Sequence, residues 1–398
     1  MSSLGGRRVL LVVSGGIAAY KSVMLVRLLR SAGARVDVVM TSSAEKMVGV
    51  ATFEALTGRP VLTDLWTEPL AHSELGREAD LAVVAPATAN ILARMAHGLA
   101  DDMATSTLLA AACPILVCPA MNLRMWANPA TRENMRILQS NGVHVVGPEE
   151  GELAEGEDGP GRMSEPDDIF QVAARLLGSE SGLAGRKVVV TAGPTLAPLD
   201  PVRFVGNRSS GRMGIALAMA AWTRGAEVTL IAGPTSVQLP HGPRVVRVET
   251  SEDMGRALEA ELDDASVLIM AAAVSDFVVD RPSETKIKKA GAEGLDLRLE
   301  PGPDLLAETR KQRASRGILT LGFALETDDL IGNAMKKLSA KGLDLIAVNE
   351  AGRPDRGVDA ETNQVTLVDS EGVVVELPLM RKTQVAERLL DHLEERLS

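Results

Sequence analysis

Short β-branched runs alternate with longer amphipathic stretches along the first half of the chain. The apolar runs at 8–14, 35–40, 80–85, 115–119 and 143–146 predict strands. Between them, spacing near 3.6 residues predicts helices over 18–30, 43–56 and 131–140. A crossover long enough to hold a helix returns the chain in the same direction, so this alternation predicts a parallel sheet covered on both faces. In such a doubly wound sheet, ligands sit at the carboxyl ends of the strands. A stretch rich in Gly and acids at 147–162 reads as a loop, and a helix is predicted over 166–177.

The polar segment 178–185 (GSESGLAG) has the composition of a linker, and a second series of the same kind follows it. Strands are predicted at 187–192, 227–232, 267–273, 318–323 and 343–348. Runs at 364–368 and 373–377 flank an Asp-Ser-Glu-Gly turn, which reads as a hairpin, and 382–397 reads as a last helix. The fold class is therefore α/β, with two doubly wound Rossmann-like domains at 1–180 and 185–398, the second extended by a β-hairpin. A length of 398 residues exceeds what one core usually holds, which agrees with two domains.

Composition narrows the partners. The chain is 45% hydrophobic and 24% charged, as globular proteins are. With one Tyr, three Trp and five Phe, it lacks stacking platforms for single-stranded nucleic acid. A formal charge of −11 opposes a broad grip on phosphate backbones. Small molecules are the expected partners. Cys113 and Cys118 both fall in the apolar run 112–120, five residues apart and on opposite faces of a strand, so they are expected as unpaired core thiols in a reducing compartment. The apolar core 9–13 is too short for a secretory leader, and no window reaches the length of a membrane span, so a cytoplasmic location is expected.

Chemistry enters at the strand ends. Ser14-Gly15-Gly16-Ile17-Ala18 closes the first strand and opens a helix, a place where backbone and helix N-terminus favour a phosphate. The spacing is not Gly-x-Gly-x-x-Gly, so the dinucleotide fingerprint is missing, which counts against a nicotinamide oxidoreductase. Further strand ends carry Thr41-Ser42, Pro86-Ala87-Thr88-Ala89-Asn90 and Pro119-Ala120-Met121-Asn122, with His72 upstream of the third strand. In this order the motifs resemble the flavin-dependent cysteine decarboxylases, among them phosphopantothenoylcysteine decarboxylase and the peptidyl-cysteine decarboxylases of lantibiotic synthesis.

The resemblance implies a flavodoxin-like domain binding FMN through Gly15, Gly16, Ile17, Ala18, Thr41, Ser42, Pro86, Ala87, Thr88, Asn90 and Ala120. It assigns His72 as the catalytic histidine and Asn122 as the holder of the substrate carboxylate. His97, His144, His241 and His392 match no motif and read as ordinary polar residues, and Met121 as core filler. The chemistry implied is oxidation of a cysteinyl thiol to a thioaldehyde, whose carbon–sulfur double bond takes the electrons released with carbon dioxide, followed by return of the hydride. One position departs from the family. Its flap reads Ala-Cys-Gly-Asp-x-Gly-x-Gly-Arg-Met, whereas residues 154–163 read AEGEDGPGRM, placing Glu155 where the proton-donating cysteine would be. Two readings stand: a Glu155 of raised pKa supplies the proton, or only the ligase half is active and the flavin half is a scaffold or gives an altered product.

In the second half, residues 206–213 nearly fit a P-loop, but Arg212-Met213 replaces Lys-Ser/Thr, which disfavours a P-loop ATPase. The whole stretch 191–214 instead resembles phosphopantothenate–cysteine ligase. So do Ala271-Ala272-Ala273-Val274-Ser275-Asp276-Phe277, Lys286-Ile287-Lys288-Lys289, Gly322-Phe323-Ala324-Leu325-Glu326-Thr327, and Lys337 with Lys341-Gly342-Leu343. Fusion of the two halves is the arrangement of bifunctional bacterial enzymes of coenzyme A biosynthesis. The resemblance implies CTP as co-substrate with Mg2+, an acyl cytidylate of 4′-phosphopantothenate, and its capture by the amine of cysteine. It places Ala273, Asp276, Lys286, Pro303, Asp304, Phe323, Lys337 and Lys341 on the nucleotide and Asn207 at the acyl phosphate; the metal ligands stay unassigned. Gly302 stands where the family more often has Asn, removing one side chain from the nucleotide turn. The resemblance further implies trimers of flavin domains and dimers of ligase domains, together a dodecamer.

Overall fold

The computed structural model describes residues 4–68, 70–154, 156–178, 181–289, 295–350 and 359–397. The chain divides into two compact units, Met1–Ser179 and Glu180–Ser398. The strands of the first are β1 (Arg8–Val13), β2 (Arg35–Met40), β3 (Leu81–Ala87), β4 (Ile115–Pro119) and β5 (His144–Val145), followed by the hairpin β6 (Glu149–Glu152) and β7 (Asp158–Arg162). Its helices are α1 (Ala19–Ser31), α2 (Val50–Thr57), α3 (Ala71–Glu78), α4 (Ala89–His97), α5 (Met103–Leu109), α6 (Leu123–Ala127), α7 (Pro129–Ser140) and α8 (Pro166–Leu177).

The main sheet runs β2-β1-β3-β4-β5 with every pairing parallel. Side chains alternate across it. Val9, Leu11 and Val13 pack with α1 and α8, whereas Leu10 and Val12 pack with α4, α5 and α7. Strands apolar on both faces, each Leu worth about 1.5–3 kcal/mol on burial, can sit only at the centre of such a sandwich. The order reverses between β1 and β3, and their carboxyl ends open on one crevice.

The second unit contains β8 (Lys187–Ala192), β9 (Leu196–Pro198), β10 (Phe204–Gly206), β11 (Glu227–Ala232), β12 (Arg244–Arg247) and β13 (Val267–Met270). It continues with β14 (Phe277–Val279), β15 (Leu299–Pro301), β16 (Leu319–Glu326), β17 (Leu345–Glu350), β18 (Thr362–Asp369) and β19 (Gly372–Arg381). The helices are α9 (Arg212–Thr223), α10 (Ser251–Glu261), α11 (Leu305–Glu308), α12 (Arg310–Arg316), α13 (Leu330–Lys341) and α14 (Lys382–Leu397). An eight-stranded sheet runs β12-β11-β8-β13-β16-β17-β18-β19. Its first six strands are parallel in the Rossmann order, with the switch point between β8 and β13, and the hairpin β18–β19 closes one edge antiparallel. Local chemistry sets the boundaries: Thr250 and Asp253 each accept the other's backbone N–H at 3.1 Å, a reciprocal box that starts α10.

Several expected boundaries move. The helix expected over 43–56 is only α2, because Thr41 captures the N–H of Ala44 with its carbonyl at 2.8 Å and its hydroxyl at 3.3 Å and turns the chain. The loop expected over 147–162 contains the hairpin β6–β7. The strand expected over 267–273 stops at Met270, since Ala272 N–H turns to the Thr191 hydroxyl at 3.1 Å. Cys113 precedes β4 rather than lying in it, half-buried, while Cys118 is fully buried. Burial pushes the Cys118 thiol above its usual range. A thiol reagent should therefore modify Cys113 first and Cys118 only on unfolding, as peptide mapping after timed labelling would read.

Candidate functional site

In the first unit, Ser14 ties the ends of β1 and β3 together. Its hydroxyl donates to Pro86 O at 2.7 Å and accepts from Thr88 N–H at 3.1 Å. Thr88 caps α4, so the same turn fixes where that helix starts and where Asn90 lies in its first turn. Gly15 is required by close approach: a Cβ there would overlap the Ser43 side chain and stand 2.9 Å from its carbonyl carbon. Thr41 N–H donates to Val13 O at 3.1 Å, and Ala120 N–H to Ala87 O at 3.1 Å. The expected flavin residues Gly15, Gly16, Ile17, Ala18, Thr41, Ser42, Pro86, Ala87, Thr88, Asn90 and Ala120 thus lie at the carboxyl ends of β1, β2, β3 and β4.

The first turn of α1 has no side-chain cap and no acidic residue. A bare helix N-terminus at the switch point suits a flavin phosphate, since it offers N–H groups and a favourable dipole to a doubly charged group. Gly15→Ala should force β1 and the Thr41 turn apart, lowering the stability of this unit by about 1–3 kcal/mol. The expected readout is loss of flavin absorbance on purification with ligase activity retained.

Asn122 follows β4 and caps α6, its Oδ1 accepting from Arg124 N–H at 2.7 Å. The hairpin β6–β7 rests on this turn. Met121 N–H donates to Gly161 O at 3.0 Å, and a Cβ on Gly161 would overlap Met121 O. Glu155 lies outside the described residues. Glu157, for which the sequence suggested no role, immediately precedes β7. One of its oxygens accepts from Arg124 Nη2 at 3.3 Å, and the other is buried without a partner among the described residues. His72 is the second residue of α3, and its Nδ1 is also buried without a partner among the described residues. A buried polar atom left unbonded is costly and calls for an explanation, which a substrate or cofactor contact supplies.

In the second unit a cleft of about 780 Å³ opens at the switch point. Asn207, Ala273, Asp276, Pro303, Asp304, Phe323, Lys337 and Lys341, drawn from separate segments of sequence, all line it. Asn207 Nδ2 donates to Val274 O at 2.9 Å, which fixes the amide. Lys337 Nζ is 2.6 Å from Glu326 Oε1, and Lys341 Nζ is 3.4 Å from Asp304 Oδ2. A Cβ at Gly302 would stand 2.8 Å from Ser275 O, so the nucleotide turn packs closely on the strand-exit loop at this position. Lys286 is not among the lining residues. Its segment is pinned elsewhere by Asp200, whose carboxylate accepts from Val202 and Arg203 N–H at 2.8 Å each and from Ile287 N–H at 3.1 Å.

Sequence reasoning missed Asn349, Asn363 and Lys382, which also line the cleft. Lys382 is buried, and burial together with the charge of Arg212 pushes its ammonium pKa down. The only sequence signal was position: Lys382 opens the last helix, where a basic residue opposes the helix dipole. Among the described residues no group of three or more His, Cys, Asp or Glu gathers to hold a metal, and no helix is long and apolar enough to cross a membrane.

Residues 1–178 match the family described as Flavoprotein, and 183–397 match the DNA/pantothenate metabolism flavoprotein C-terminal domain. The coenzyme A biosynthesis bifunctional protein CoaBC of Mycobacterium tuberculosis is 45% identical over 97% of this chain and 96% of that protein. The chain belongs to the CoaBC family. The Bacillus subtilis member is 42% identical, over 98% of this chain and 97% of its own, and the Escherichia coli member 40% identical over the same shares. Membership in the CoaBC family makes the chain a bifunctional enzyme with a flavoprotein half.

Proposed function

We propose that the second unit joins 4′-phosphopantothenate to cysteine at the expense of CTP, and that the first unit decarboxylates the product to 4′-phosphopantetheine. The observation that carries this reading is the switch-point cleft, where Asn207 and two lysines converge with Asp276, Asp304 and Phe323. A carboxylate does not react with an amine at useful rates, so the acid is first converted to an acyl cytidylate with loss of pyrophosphate. The cysteine amine then attacks the acyl carbon and CMP leaves. Lys337 and Lys341 oppose the charge that develops on the phosphates, and Asn207 donates to the acyl phosphate. Mg2+ fits here as a partner of the triphosphate, since it keeps waters and takes few protein ligands.

In the first unit the ends of β1, β2, β3 and β4 would hold FMN, its phosphate at the start of α1. Bound there, FMN supplies reversible two-electron chemistry at the cysteinyl thiol. Asn122 orients the substrate carboxylate, His72 moves a proton, and the flap β6–β7 lies over the Asn122 turn to exclude water. A carboxylate on that flap, Glu155 or Glu157, replaces the family's cysteine as final proton donor. The ligase-only alternative is not favoured, because the relatives that match along nearly the whole chain carry the bifunctional name.

The test is a coupled assay on the full chain with phosphopantothenate, cysteine, CTP and Mg2+. The expected products are CMP, pyrophosphate, carbon dioxide and 4′-phosphopantetheine. Absence of pyrophosphate with every nucleoside triphosphate would remove the ligase reading; accumulation of phosphopantothenoylcysteine, or of an oxidised enethiol, would remove the decarboxylase reading.

A further inference from the structure

Arg313, on α12, is only 2% exposed, yet its guanidinium bonds carbonyls and hydroxyls, and no carboxylate among the described residues is hydrogen-bonded to it. Nη2 donates to Leu306 O and to Lys341 O, both at 2.7 Å. Nη1 donates to Gly342 O at 2.9 Å and to the Thr320 hydroxyl at 3.1 Å, and Nε to the Thr309 hydroxyl at 3.3 Å. Lys341 and Gly342 end α13, so the cation replaces water on the last carbonyls of a helix, where a positive charge is also favoured by the dipole's negative end.

The two segments it joins both line the cleft. Leu306 follows the Pro303–Asp304 turn by two residues, and Lys341 is one of the two cleft lysines proposed to oppose the phosphate charge. The separation between Asp304 and Lys341 is thus set by one planar fork gripping both backbones. Resting on the proposed nucleotide site, we infer that Arg313 is a positioning residue for CTP: it holds the Asp304 turn and the end of α13 at the spacing the triphosphate requires, without touching the ligand. A lysine cannot replace it. Its ammonium would stop near the place of Cζ, one bond short of Nη2, which alone bonds Leu306 O and Lys341 O, and would leave Gly342 O and the Thr320 and Thr309 hydroxyls without their donors.

The test uses Arg313→Lys in the full chain, with decarboxylation of supplied phosphopantothenoylcysteine as an internal control in the other unit. The KM for CTP should rise about tenfold or more, in the range typical when a charged hydrogen-bond network is broken, with the KM for cysteine and the decarboxylase rate unchanged. A residue that only supported folding would lower the active fraction, and so kcat, at constant KM. An unchanged KM for CTP therefore overturns the inference. If Arg313→Lys does not fold, Thr320→Val decides. It leaves the guanidinium and removes one acceptor, and should raise the KM for CTP about two- to threefold; no change would again overturn it. A wild-type chain that releases no pyrophosphate from CTP would instead sink the nucleotide reading itself, before any variant is compared.

Discussion

Asn207→Ala should lower amide formation by roughly 10²–10³-fold, the usual cost of removing one preorganised donor from a developing anion, with CTP affinity unchanged. The basis is the fixed amide. One hydrogen of Asn207 Nδ2 is bonded to Val274 O at 2.9 Å, and that carbonyl belongs to the loop leaving β13, itself held by Thr191 and Thr195. The side chain is therefore aimed before any ligand arrives, and its second amide hydrogen is available to an acyl phosphate. Because the nucleotide contacts come from other segments, binding survives the change and chemistry does not. Isothermal titration with CTP, set against pyrophosphate release, separates the two. Equal losses in both would place Asn207 on the nucleotide rather than on the acyl group, and unchanged turnover would remove it from the mechanism.

His72→Asn should depress carbon dioxide release by about 10²–10⁴-fold, the span of a lost acid–base group, while bound flavin and ligase activity persist. Asparagine keeps a polar atom near the position of Nδ1 but does not titrate near neutrality. The buried Nδ1 without a partner among the described residues is a cost the fold carries for no structural return. On that account the variant should also be no less stable than the parent, and thermal melting checks it. Full decarboxylation by the variant would show that the orphaned nitrogen has some other use.

The strands were legible because they are buried on both faces: runs such as 188–192 have no polar residue to expose until Thr191 and could only be central. The Gly15-Gly16 turn at the end of β1 was legible as a strand-to-helix turn, but glycines end many such strands, and only its order with the other strand-end motifs pointed to a flavin. Where reading by period failed, a hydroxyl had intervened. Thr41 stops the helix expected at 43, and Thr191 and Thr195 pull Ala272 and Ser275 out of the sheet that their apolar neighbours would have continued. Arg313 was invisible for a different reason. Arginines at 310, 313 and 316 read as solvated charge on one helix, and the acceptors that bury the middle one lie in segments distant from it in sequence. Lys286 was the less legible case: a cluster of lysines beside a nucleotide motif reads as part of the cleft, whereas in the structure Lys286 is not among the lining residues and its neighbour Ile287 is bonded to Asp200.

The pairing of Lys337 with Glu326 and of Lys341 with Asp304 bears on turnover. Under the proposed function, a triphosphate entering this cleft would not meet bare cations; it would take each lysine from a carboxylate that already neutralises it. Part of the Coulomb gain is thereby surrendered at entry, and the same part is returned at exit, when the carboxylates reclaim their partners. Pyrophosphate and CMP, each with fewer charges than the whole nucleotide, compete poorly in that exchange. On that reading, the same ion pairs that slow capture would speed the release of spent products.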